Sequence, residues 1–223
     1  AFTGGQINVQ TEKLTISGGD YGIWSQNNSQ YASAPEGTSS ITVNAKDTVI
    51  NANKSGIVAF SNGQVNISGN LTVNAQNALD VRGNSTTNIN QDGTGTVVLN
   101  GDISFETPGP NHNSGNIIDA TVNLNLTGEN SSWTGNVSKG YPSERKNDNG
   151  QNDVGAGNGT GLNLTLSNGA QWNPTVMTDS YDETYQTRSE SMALTNLTMN
   201  NGVININDVN QTVNVQNMQG AGG

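Results

Sequence analysis

Short apolar–polar–apolar triplets recur along this chain at intervals of 22 to 24 residues, and this double periodicity restricts the fold more than any other feature. Leu14-Thr15-Ile16, Ile41-Thr42-Val43, Val65-Asn66-Ile67, Leu71-Thr72-Val73 and Leu79-Asp80-Val81 open the series. Ile103-Ser104-Phe105, Leu124-Asn125-Leu126, Leu162-Asn163-Leu164, Ile204-Asn205-Ile206 and Val213-Asn214-Val215 continue it. Alternation with a period of two, rich in β-branched residues and bounded by Gly and Asn, is the signature of strands with one buried side. Helical spacing is nearly absent, its best stretch being Ser189 to Leu194. The chain therefore reads as all-β.

The longer period selects among all-β folds. A shift of 22 brings Val43 onto Val65, Val49 onto Leu71, Ile57 onto Leu79 and Ala59 onto Val81. It also sets Ala45, Ile67 and Ile89 in one column, with Asn44, Asn66 and Asn88 beside them. A shift of 24 carries Val73 to Val97, Leu79 to Ile103 and Val81 to Phe105, and a shift of 34 carries Leu14, Ile16 and Ile23 to Thr48, Ile50 and Ile57. A repeat of this length holding three short strands is one turn of a parallel β-helix, stacked on the next at about 4.8 Å. About eight such turns make a rod on the order of 40 Å long. A β-sandwich built of hairpins has no reason to repeat at this interval. The chain is thus expected to be a single β-helix over residues 1–223, interrupted by insertions at about 26–40, 106–116, 139–161 and 176–192.

Composition fits a narrow core inside a polar shell. Hydrophobic residues make up only 31% and charged residues 12%, about half the usual share of charge. A formal net charge of −10 argues against nucleic-acid binding, which requires a basic face. No apolar run approaches the length of a membrane-spanning helix. Absence of Cys excludes disulfides, thiol catalysis and thiolate metal sites, and one histidine, His112, leaves no histidine pair. Without an initiator Met or a signal segment, the chain is expected to be a processed piece of a longer precursor.

Two stretches resemble a known family. Leu126-Thr127-Gly128-Glu129-Asn130-Ser131-Ser132-Trp133-Thr134-Gly135-Asn136-Val137 is similar to the pertactin-like passengers of bacterial autotransporters. So is Leu162-Asn163-Leu164-Thr165-Leu166-Ser167-Asn168-Gly169-Ala170-Gln171-Trp172, resumed at Leu194–Ile206 after an acidic insertion. Residues 120–215 resemble the C-terminal part of such passengers, whose members pass more quickly from the Trp to the next strand. The resemblance implies a right-handed parallel β-helix, exported across the outer membrane of a Gram-negative-type bacterium and displayed at the cell surface. The implied function is that of an adhesin-type module for cell adhesion or self-association, as in aggregation and biofilm. Its partners would be a host-surface or matrix protein, a glycan, or copies on sister cells. A structural stalk for a separate N-terminal functional region, and a polysaccharide-active β-helix enzyme, are the alternatives.

Catalytic chemistry finds little support. Glycan cleavage needs clustered carboxylates, and here Asp and Glu are scattered, with no Asp-Asp pair and no Asn-Thr-Asp run. A serine nucleophile would depend on His112, whose Pro-rich surroundings lack a Gly-x-Ser-x-Gly partner. Calcium would need several oxygens in a regular run, and no Asp-x-Asp-x-Asp-Gly sequence occurs. No enzyme activity, cofactor or metal is expected. The Asn-x-Ser/Thr triplets follow from Asn/Thr alternation. Trp133 and Trp172 are expected to cover core ends, and Trp24 to be a surface aromatic or a cap. Tyr31, Tyr141, Tyr181 and Tyr185 fall in the insertions. The acidic–aromatic loop is the candidate binding site, with Asp179, Tyr181, Asp182, Glu183 and Tyr185 as its residues: aromatic anchors beside charge suit partner contact.

Overall fold

The computed structural model describes residues 1–27, 38–106, 120–142, 161–176, 180–182 and 187–221. Among them there is no helix. The alternating triplets become strands that bend around one shared core, and each coil of chain pairs in parallel with the next. The first three coils are each one long, bent strand: β1 (Gln6–Gln26), β2 (Ser39–Phe60) and β3 (Gly63–Arg82). The fourth coil is split into β4 (Thr86–Ile89) and β5 (Val97–Glu106). The fifth shows three separate strands, β6 (Thr121–Thr127), β7 (Ser132–Thr134) and β8 (Val137–Pro142). The sixth begins with β9 (Gly161–Ser167) and β10 (Gln171–Asn173), followed by β11 (Ser180–Asp182) and β12 (Thr187–Ser191). β13 (Leu194–Asn200), β14 (Val203–Ile204) and β15 (Val215–Ala221) complete the stack. This pairing pattern is that of a parallel β-helix.

Three registers define three sides. On the first, Val43, Ile67, Ile89, Leu124 and Leu164 follow one another inward. On the second, Ile16, Ile50, Val73, Leu99, Trp133, Trp172 and Ile204 do so. On the third, Ile23, Ile57, Leu79, Ile103 and Val137 do so. Together they form one continuous core, and from Ile57 to Trp172 most of its side chains are fully buried. Corners are made by residues that tolerate left-handed backbone, among them Asn62, Asn84, Asn90, Asn168 and Asn201, whose short amides accept positive φ at low cost. Gly69, with φ +82°, turns a corner where any Cβ would strike the carbonyl of Ala45.

The register corrects part of the expected alignment. Ile57 does lie over Leu79, Ala59 over Val81, and Val81 over Phe105. The 34-residue matches of Leu14, Ile16 and Ile23 also hold. On the first side, however, the offset is 24: Val43 pairs with Ile67 and Ile41 with Val65, while Asn44 meets Ser68 and Thr42 meets Asn66. On the second it is 23, so Thr48 meets Leu71, and Val49 meets Thr72. Val73 correspondingly pairs with Leu99, not Val97. One residue is lost at each irregular corner, between Asn44 and Asp47 and again between Asn51 and Ser55. A shift of two preserves the inward set, whereas a shift of one reverses it. Hence Thr48 is buried and Val49 faces outward, opposite to their hydropathy.

Trp133 and Trp172 are interior rungs rather than end covers, each with no exposed surface. Trp24 is half-buried, its ring edge-on to Tyr21 at 4.7 Å and its Nε1–H donated to Gln26 Oε1 at 2.9 Å.

Candidate functional site on the insertion side

Three insertions are attached between the C-terminal ends of third-side strands and the starts of first-side strands β2, β6 and β9. The departures follow Gln26 of β1, Glu106 of β5 and Pro142 of β8, and residues 28–37, 107–119 with His112, and 143–160 lie outside the described residues. From the second coil on, the third side is also buried at one outward row. Val58, Asp80, Ser104 and Ser138 occupy one outward register row and are 0%, 0%, 5% and 6% exposed. Their counterparts on the first side, Thr42, Asn66 and Asn123, remain half-exposed.

Asp80 is the chemically distinctive member of that row. Arg82, two positions along the same strand, donates Nε–H to Asp80 Oδ1 at 2.7 Å and pairs through Nη2 with Oδ2 at 2.5 Å, while Ser55 Oγ donates to Oδ2 at 3.2 Å. A buried carboxylate so compensated is a fixed internal ion pair. In the sequence Asp80 sits between Leu79 and Val81 as an ordinary outward polar residue. The one available signal was an arginine at the next outward position.

Part of the fourth insertion, read from the sequence as loop, is strand. β12 pairs antiparallel with β8, Glu190 opposite Lys139 and Arg188 opposite Tyr141, and β11 pairs antiparallel with β12, Tyr181 opposite Arg188 and Asp182 opposite Thr187. Lys139 to Pro142, expected in the third insertion, likewise continues β8. The hairpin takes the place that the sixth coil's third strand would fill, and it covers the edge of β8. Of the five expected binding residues, Tyr181 and Asp182 lie on β11, and the register places Tyr141, Arg188 and Tyr181 in one cross-strand row. Asp179, Glu183 and Tyr185, like Tyr31, lie outside the described residues. Ser189 to Leu194, the best helical stretch by spacing, is strand at both ends.

The first side carries a different arrangement. Asn66, Asn88, Asn123, Asn163, Asn196 and Asn217 form one ladder of side-chain amides. Each after Asn66 donates Nδ2–H to the Oδ1 of the residue before it, at 2.7, 2.7, 2.8, 2.6 and 3.1 Å in order. A second ladder joins Asn51, Asn74 and Asn100 on the second side through bonds of 2.8 Å. Only the Asn66–Asn88 contact follows from a constant repeat. The longer column needed the register, because insertions spread its later members unevenly along the chain.

At the corner between second and third sides Asp102 Oδ1 accepts the backbone N–H of Asn136 at 2.8 Å. Burial raises its carboxyl above the ordinary aspartate range, and that hydrogen bond offsets part of the rise. Among the described residues no group of three or more His, Cys, Asp or Glu side chains is placed to hold a metal ion. No known protein family, no curated protein and no solved structure matches this chain.

Proposed function

We propose that this chain is an adhesin-type passenger module: a rod exported to the surface of a Gram-negative-type cell that carries binding elements along one side and mediates adhesion or self-association. The single observation that supports this most is the placement of the insertions. Three depart from the same edge of the third side, and the fourth contributes a hairpin to that side's sheet. A coil stack needs none of them to bury its core, and their shared point of attachment, where third-side strands end, is where a binding face would be built. The Trp-containing segments around Trp133 and Trp172 support the autotransporter part of the reading by their resemblance to passenger sequences.

The acidic–aromatic segment is the part of that face on which partner chemistry is legible. With Asp179, Asp182 and Glu183 beside Tyr181 and Tyr185, it suits a basic partner surface. The test is display of the chain on a Gram-negative host through a fused translocator, with adherence to immobilised matrix proteins and cell settling as readouts. An Asp179→Asn/Asp182→Asn/Glu183→Gln variant leaves the backbone pairing of the hairpin in place and should reduce adherence. Equal adherence by parent and variant would remove the hairpin from the binding face.

A further inference from the structure

We infer that the first side of the stack is a self-docking face, on which a second copy of this chain lies alongside with the two amide ladders facing each other. The observation is an absence of charge where the molecule is otherwise strongly acidic. The strand segments of this side run from Gln6–Gln10 through 40–44, 64–68, 86–89, Thr121–Thr127, Gly161–Ser167 and Leu194–Asn200 to Val215–Ala221. None contains Asp, Glu, Lys, Arg or an aromatic residue, in a chain whose net charge is −10. Two copies repel one another in most orientations, and this face lets them approach without opposing like charges.

The chemistry of the face fits a second copy better than another partner. Asn88, Asn123 and Asn163 each donate one amide N–H along the ladder. An amide carries two such groups, so one per rung is left for a neighbour. These groups recur at the strand spacing of about 4.8 Å, and a second copy presents the same interval, keeping step over the whole rod. An extended peptide advances about 6.6 Å per two residues and falls out of step within a few rungs. Seven intervals by five residues give roughly 34 Å by 16 Å, on the order of 550 Å² per copy. Doubled, that is just above the ~1,000 Å² at which specific contacts begin. The dimer is accordingly weak and symmetric, the same patch serving both partners.

This inference rests on the proposed function only for its cellular consequence, and purified protein tests it. Sedimentation velocity over about micromolar to millimolar protein should show concentration-dependent dimers of the parent. Thr42→Glu/Thr165→Glu, at half-exposed outward positions, should weaken association at least about tenfold with an unchanged thermal melt, and Thr42→Lys/Thr165→Lys should do the same. An equimolar mixture of the two should associate again. A parent that stays monomeric, Glu variants that associate like the parent, or a mixture that fails to recover would each overturn the assignment. Adherence lost by the hairpin variant with dimerisation intact would show the two sites to be separate.

Discussion

Trp133 and Trp172 lie flat against each other in adjacent coils, ring centroids 5.0 Å apart and planes within 3°. Each sends its Nε1–H one coil back, Trp133 to the carbonyl of Gly101 and Trp172 to that of Gly135, both at 3.0 Å. An indole can be wholly buried here only because its one polar group is satisfied. Gly135 leaves room for the arrangement. With φ +154°, a Cβ there would strike the Gly101 carbonyl and crowd Trp133 Nε1.

Two substitutions separate packing from polar satisfaction. Trp172→Ala should cost about 3–5 kcal/mol, the usual loss for a large buried aromatic. Gly135→Ala, which keeps both indoles, should still cost on the order of 2 kcal/mol through backbone strain. Chemical denaturation of the two variants measures both, and a neutral Gly135→Ala would mean that the corner relaxes freely.

The inward–outward assignment is tested by neighbours on one strand. Val65 is fully buried between Ile41 and Thr87, whereas Asn66 faces outward and accepts a bond from Asn88. Val65→Asp buries an unpaired carboxylate and should unfold the surrounding coils. Asn66→Asp keeps an acceptor for Asn88 and should be mild. Circular-dichroism melts of the pair should differ widely, and coincident melts would contradict the register.

Alternation carries the all-β class, and the 22–24-residue repeat carries the stacked coils and the inward residues of the third side, because Ile57, Leu79 and Ile103 recur with no irregularity between them and the strand end. The second side was not legible in the same way. Corner bulges each remove one residue, and nothing in Ala45-Lys46-Asp47-Thr48-Val49 marks where the loss falls. Hydropathy would place Val49 inside; the backbone places Thr48 there. The hairpin escaped for a different reason. Its residues show no strand alternation, and antiparallel pairing to β8 is a long-range relation that no local pattern encodes.

Buried threonines leave a correctable defect. Among the described residues the hydroxyls of Thr48 and Thr87 are buried with no hydrogen-bond partner. Thr87 stands in the inward row between Val65 and Val122. Thr87→Val has nearly the same shape and removes an unsatisfied polar group, which should raise stability by about 1 kcal/mol. A destabilised valine variant in denaturant titration would show that the hydroxyl is satisfied in solution.

Asp102 supplies a pH test whose sign is fixed by its raised carboxyl pKa. The folded state holds this proton to a higher pH than the unfolded chain, whose aspartate has the ordinary value of 3.8. Between that value and the raised one the native state binds more protons, so this residue's contribution to stability falls as pH rises through the window. At neutral pH the ionised carboxylate is a net cost, borne against the hydrogen bond from Asn136. Asp102→Asn keeps an oxygen to accept that N–H and removes the charge. Melting temperatures of parent and variant should therefore converge toward pH 4 and separate toward pH 7, with the asparagine form the more stable at neutrality. Taking the difference between the two proteins cancels the other carboxylates, including Asp20, whose carboxyl Lys54 and Asn53 hold below the ordinary range. A difference that stays constant with pH would show that Asp102 titrates alike in the folded and unfolded chains.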